Sequence, residues 1–164
     1  LLGNDDTLAA EFSGGSFATI YLSPSDYHRV HMPWGGKLIE TRYIPGKLFS
    51  VNQATANSIP ELFARNERLV CVFETSRGKM AVILVGAMLV AGIETCWQSY
   101  YPPASHAIVK FSAQTMSLKR ADELGRFKFG STVILLFNES LDFDKKLTRD
   151  DKVLMGEGLS LTPS

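Results

Sequence analysis

Two of the three histidines stand three residues apart, in Asp26-Tyr27-His28-Arg29-Val30-His31-Met32-Pro33. Imidazole is the side chain that ordinarily changes charge near neutral pH, so such a pair suits acid–base chemistry. A His-x-x-His pair also suits metal ligation, which requires a third ligand of similar character. Neither cysteine stands in a metal-like arrangement, and His106, in a loop after Pro102-Pro103, is the remaining histidine. The plain alternative is two histidines hydrogen-bonded at a loop. A second candidate is Gly130-Ser131-Thr132, set between the basic-aromatic stretch Arg126-Phe127-Lys128-Phe129 and the apolar run that follows. It lacks P-loop spacing and is no Gly-x-Ser-x-Gly elbow. Taken alone, Gly-Ser there is an ordinary turn before a strand.

The elements that must position these residues are mostly strands. Short apolar runs punctuated by Pro and Gly are the signature of a mainly β domain. Strands are predicted over Phe17–Leu22, Lys37–Ile44, Leu69–Thr75, Lys79–Val85, Met88–Trp97, Ala107–Phe111, Thr132–Phe137 and Lys152–Met155. Ser76-Arg77-Gly78 joins two of them as a hairpin, with Gly78 at the left-handed position. A helix is predicted over Ile59–Arg68, with Ser58 as its N-cap and Pro60 in its first turn. A shorter helical turn is expected around the histidines, opened by Ser23-Pro24 and stopped by Pro33. On such a turn His28 and His31 share a face, whereas on a strand they point to opposite sides. The fold class expected is α+β, mainly β: antiparallel sheets forming a sandwich- or barrel-like core with few short helices.

Composition narrows the function. The chain has 164 residues, which suits one domain. Its 17 basic and 17 acidic side chains cancel, which argues against a dedicated nucleic-acid binder. Two cysteines make no disulfide scaffold, and Cys71 and Cys96 lie in apolar runs that predict buried thiols. Met80–Ile93 is uncharged over fourteen residues, but a spanning helix requires about 20. Its five β-branched residues and two glycines fit buried strands instead. Residues 1–16 lack the basic and apolar regions of a secretory signal, and the opening Leu1-Leu2 reads as the interior of a longer chain.

Five blocks in order carry a family resemblance: YLSP (Tyr21–Pro24), DYHRVHMP (Asp26–Pro33), IPGKLFSVN (Ile44–Asn52), LFARNER (Leu62–Arg68) and GRFKFGSTV (Gly125–Val133). Together they resemble phosphatidylserine decarboxylase, from about Phe17 to Phe137. The resemblance implies a self-processing, pyruvoyl-dependent enzyme over residues 1–164, converting phosphatidylserine to phosphatidylethanolamine and CO2. In that family the precursor cuts itself between the glycine and the serine of the Gly-Ser-Thr motif, here Gly130 and Ser131. Residues 1–130 become the β chain and 131–164 the α chain, headed by a pyruvoyl group derived from Ser131.

A serine hydroxyl is a weak nucleophile until a base takes its proton. His31, matching the second histidine of the motif, is assigned that role by the resemblance, and His28, matching the first, is assigned protonation during decarboxylation. From the residues alone the two are exchangeable. The pyruvoyl ketone would form a Schiff base with the substrate amine and act as the electron sink. No metal is implied. The partners implied are phosphatidylserine, a membrane surface and the two chains of one precursor, with exposed strand edges suggesting a homodimer. Arg126-Phe127-Lys128-Phe129 is a candidate contact for an anionic head group at the mouth of the site. Localisation follows as peripheral, at the cytoplasmic face of a bacterial cell membrane. The family's orienting Asp sits in a Val-Asp-Gly type motif that these residues lack, and Asp26 belongs to the histidine block itself. The alternative reading is a catalytically silent phospholipid-binding fragment or homologue.

Overall fold

A computed structural model describes residues 1–88, 92–99, 101, 108–112, 116–128 and 130–160. Along the chain come α1 (Asp6–Glu11), β1 (Ser16–Leu22), β2 (Arg29–His31), β3 (Gly36–Ile44), α2 (Gln53–Ser58), α3 (Leu62–Arg65), β4 (Arg68–Thr75), β5 (Gly78–Val85), β6 (Ile93–Thr95), β7 (Val109–Ser112), β8 (Ser117–Leu118), β9 (Glu123–Phe127) and β10 (Ser131–Phe137). The large antiparallel sheet runs β1-β10-β5-β4-β3-β7, with β8 also on β3, and a small sheet runs β2-β9-β6. The expected mainly β, antiparallel class holds, and the large sheet stays open rather than closing into a barrel.

β10 is hemmed on both flanks. Ser131↔Leu22 through Phe137↔Ser16 pair it with β1, and Thr132↔Val85 through Phe137↔Met80 pair it with β5. β5 and β4 are buried almost throughout, which explains their near-continuous apolar sequence. The hairpin forms with a two-residue loop, Ser76-Arg77, and Gly78, expected in the connection, opens β5 opposite Thr75 at the expected positive φ, +93°.

Strand periodicity assigns the two faces of this sheet. Ser131 shares one face with Val133, Leu135 and Phe137. Phe137 meets Trp34 edge-on at 4.9 Å, and on the same face Phe73 meets Trp97 at 6.4 Å. Trp34 follows β2 and Trp97 follows β6, so this face packs toward the small sheet. The opposite face carries Arg42 and Lys79, which bind Asp5 and Glu11 at the two ends of α1. The Asp5 side chain caps that helix by accepting from Leu8 N.

Several local expectations are corrected. The helical turn at the histidines is a single turn, closed by Asp26 N to Ser23 O at 2.9 Å, and the chain then extends. His31 lies in β2, where Arg29, Val30 and His31 run exposed, buried and half-buried. Pairing with β9 outweighs the local helical preference there. The helix over Ile59–Arg68 is replaced by α2 and α3. Ser58 ends α2, its hydroxyl donating to Ala54 O, and Glu61 at φ +55° separates the two helices. Lys152–Met155 forms no strand, and Leu154 and Met155 are exposed. Cys71 is buried as expected, but Cys96, just past β6, is exposed. Of the Met88–Trp97 strand the described part is Ile93–Thr95, and of Ala107–Phe111 it begins at Val109. Residues 89–91, His106 and Ala107 lie outside the described residues.

Candidate active site

The segment that holds the histidines leaves β1 at Leu22 and joins the small sheet at His28. Leu22 is the register partner of Ser131. His28 O accepts from Phe127 N at 3.0 Å. Phe127 ends β9 and Ser131 begins β10, so both ends of the 22–28 segment are fastened to the chain on either side of Gly130. A Cβ on Gly130 would lie 3.0 Å from Leu22 O and 3.0 Å from Pro24 N. A side chain here would be crowded and would push these backbones apart by a few tenths of an ångström, which glycine avoids.

Ser131 and Thr132 are fully buried, and neither hydroxyl has a hydrogen-bond partner among the described residues. A buried hydroxyl without a partner forfeits its hydration, so such groups are rare and call for an explanation. His28 contributes a third such atom, since its Nε2 is buried and unpartnered. Thr132 points to the opposite face of β10 from Ser131, and Thr41 Oγ1 and Asn138 Oδ1 are unpartnered as well, so the orphaned atoms do not by themselves mark one site. A buried hydroxyl unengaged among the described residues, next to a glycine whose Cα is closely approached by the Leu22–Pro24 backbone, fits a serine that is to be converted into a covalent pyruvoyl group.

His31 is differently placed. Its Nδ1 lies 2.7 Å from Ala121 O, and its Nε2 lies 2.8 Å from the Tyr27 hydroxyl. Neither nitrogen bonds the Ser131 hydroxyl, which has no partner among the described residues. Asp26 does not orient a histidine. Its carboxylate accepts from Ser23 N at 2.8 Å, and that backbone bond is the main cause holding the carboxyl below its usual range.

Arg126, on the middle strand of the small sheet rather than an edge, and Lys128 just past it are exposed, but their charges are matched. Glu94 lies 3.1 Å from Arg126 and 3.8 Å from Lys128, and Glu123 lies 2.5 Å from Arg29. Arg29 and Arg126 are direct cross-strand partners, and the two carboxylates offset that like-charge juxtaposition. Phe127 points inward and is buried, and Phe129 lies outside the described residues. Open depressions of about 510 and 270 Å³ lie beside α1, and neither is lined by Ser131, His28 or His31.

Tyr27 and Ala121 escaped the sequence reading. Tyr27 stands four residues before His31, a spacing that signals contact only on a helix. Ala121 contributes a backbone carbonyl, for which residue type gives no signal.

Residues 1–160 match the family model described as phosphatidylserine decarboxylase. A phosphatidylserine decarboxylase proenzyme of Alcanivorax borkumensis is 60% identical over 142 residues, covering 85% of this chain and 49% of that protein. The proenzyme of Pseudomonas entomophila is 55% identical over 167 residues, covering 98% of this chain and 58% of its own. One from Pseudomonas putida is 54% identical over 166 residues, with the same coverage of 98% and 58%. The chain thus spans about half the length of the curated relatives it matches.

Proposed function

The chain belongs to the phosphatidylserine decarboxylase family, and from that premise we propose that it forms the core of a self-processing, pyruvoyl-dependent enzyme that converts phosphatidylserine to phosphatidylethanolamine and CO2. Residues 1–130 would belong to the β chain and 131–164 to the α chain. The observation that supports this reading is the Ser131 hydroxyl, fully buried and without a partner among the described residues, next to a glycine where a side chain would be tightly crowded.

In the proposed maturation, Ser131 Oγ attacks the Gly130 carbonyl carbon. The Oγ–C bond forms and the peptide C–N bond breaks. His31 takes the hydroxyl proton, and the freed Ser131 amine takes up a proton in return. Loss of the Ser131 Cα proton then expels the Gly130 carboxylate and leaves dehydroalanine. Water hydrolyses it to the pyruvoyl group and ammonia. Once formed, that group supplies an electron sink for the charge released as CO2 departs. His28, whose Nε2 is buried and unengaged, is suited to hold the proton for the substrate Cα and to orient the carboxylate. Maturation by this route requires His31 to exchange its bond to Tyr27 for one to Ser131.

A lipid substrate is met at a membrane surface, so the reading carries with it peripheral attachment at the cytoplasmic face of a bacterial membrane. Among the described residues no helix is long and apolar enough to cross a membrane.

Intact-mass analysis of the full-length protein tests the reading. Cleavage after Gly130, a reducible ketone on the new terminus, and an uncleaved Ser131→Ala variant are expected. Borohydride in the presence of phosphatidylserine should inactivate the enzyme. A protein that stays whole, carries no ketone and is indifferent to borohydride is instead a silent lipid-binding homologue.

A further inference from the structure

Both ring nitrogens of His31 are engaged. Nδ1 faces the Ala121 carbonyl at 2.7 Å, and a carbonyl only accepts, so Nδ1 carries the hydrogen. With Nδ1 carrying the hydrogen, the neutral form of the ring presents a bare Nε2 that accepts from the Tyr27 hydroxyl, 2.8 Å away. The two rings stack with centroids 5.7 Å apart and planes 15° apart.

The Ala121 carbonyl is itself fixed. Ala121 N donates to Met32 O at 3.0 Å, and Met32 N donates to Asp122 O at 2.9 Å. The Asp122 carboxylate closes the turn by accepting from Lys119 N at 2.7 Å. Ala121 holds φ +69°, a left-handed conformation that residues with a Cβ seldom adopt. The turn is therefore clamped to the end of β2, beside the histidine it serves.

We propose that Tyr27 is a positioning residue that caps His31: with the Ala121 carbonyl it fixes the tautomer whose Nε2 is basic, and its hydroxyl keeps that nitrogen from Ser131 until the bond opens. This rests on His31 being the base of maturation. A neutral imidazole nitrogen has one lone pair, so Tyr27 and Ser131 compete for it. Removing the Tyr27 hydroxyl while keeping the ring removes the competitor and leaves the Ala121 bond in place. One neutral hydrogen bond corresponds to about a 2- to 10-fold change in the population of open His31.

The test uses the full-length proenzyme as wild type, Tyr27→Phe and Tyr27→Ala. Cleavage rates are followed by mass spectrometry, and the His31 tautomer is read by histidine-selective 15N NMR in an uncleaved Ser131→Ala background. Tyr27→Phe should mature about 2- to 10-fold faster, keep the Nδ1-protonated tautomer and shift the Nε2 resonance. Tyr27→Ala, which also loses the stacked ring, should lose the tautomer preference and mature more slowly than Tyr27→Phe. A Tyr27→Phe rate at or below wild type overturns the capping role, and an Nε2-protonated ring overturns the assignment of the bonds. A wild type that never cleaves refutes the function proposed above, while the tautomer still decides the role of Tyr27.

Discussion

Gly125 is the point at which the small sheet is most sensitive to one added atom. It lies in β9, opposite Val30 of β2 on one side and Thr95 of β6 on the other. A Cβ there would lie 2.3 Å from Glu94 O and 3.2 Å from Thr95 Cα, both backbone atoms. Ordinary carbon–oxygen contacts begin at about 3.3 Å, so Gly125→Ala must drive β6 and β9 apart by about 1 Å. The neighbouring bond from Cys96 N to Leu124 O is 2.9 Å long and would be stretched beyond hydrogen-bond range. Its loss costs about 1 kcal/mol and the overpacking about 1–3 kcal/mol, for a total of about 2–4 kcal/mol. A domain of this size holds about 5–15 kcal/mol, so the variant should fold, with a Tm lower by about 5–15 °C. The assay is thermal and urea unfolding in the uncleaved Ser131→Ala background, with Gly158→Ala as control. The nearest atom to a Cβ at Gly158 is Ser160 O at 3.9 Å, so its midpoint should move by less than about 0.5 kcal/mol. With Ser131 restored, Gly125→Ala should also slow self-cleavage, because Phe127 of the same strand holds His28. A Gly125→Ala midpoint within about 0.5 kcal/mol of the parent would refute the close approach of β6 and β9.

Two further outcomes follow from single groups. The Asp5 carboxyl is held down to about 2 from 3.8, first by the Leu8 N–H and then by Arg42. A carboxyl depressed on folding stabilises above its unfolded value, and that contribution is lost as the pH falls through the folded value. Asp5→Asn should therefore flatten the fall in stability between about pH 4 and 2, read from urea midpoints across that range; an unchanged slope would rule this out. Cys96 is exposed and Cys71 buried, and burial pushes the Cys71 thiol strongly upward. Maleimide should therefore label one thiol in the native protein and the second only in denaturant, and two native labels would contradict the placement of β4.

The long strands were legible because their burial follows the sequence. β1 alternates half-buried and exposed, and β4 and β5 are continuous apolar runs of the length a buried strand takes. β2 and β9 were not legible. β2 is three residues long, and β9 opens on Glu123 and carries an exposed Arg126 between the buried Gly125 and Phe127. Partners nearly a hundred residues apart decide both, and no local window contains them. The same holds for the histidines. Their identity was plain in the sequence, but the Ala121 carbonyl that engages one of them is reached only through the 119–122 turn. Lys152–Met155 shows the opposite error: strand-like residue types found no neighbouring strand to pair with.

The double flanking of β10 gives the proposed self-cleavage a mechanical consequence. A break after Gly130 opens the chain at the very tip of a strand that stays zipped to β1 through seven register pairs and to β5 through six. Downstream, Leu141 N remains tied to Ser16 Oγ at 2.8 Å. The two polypeptides would stay interlocked, parting only in denaturant, and the newly made terminus would be kept in register with Leu22 rather than swinging free.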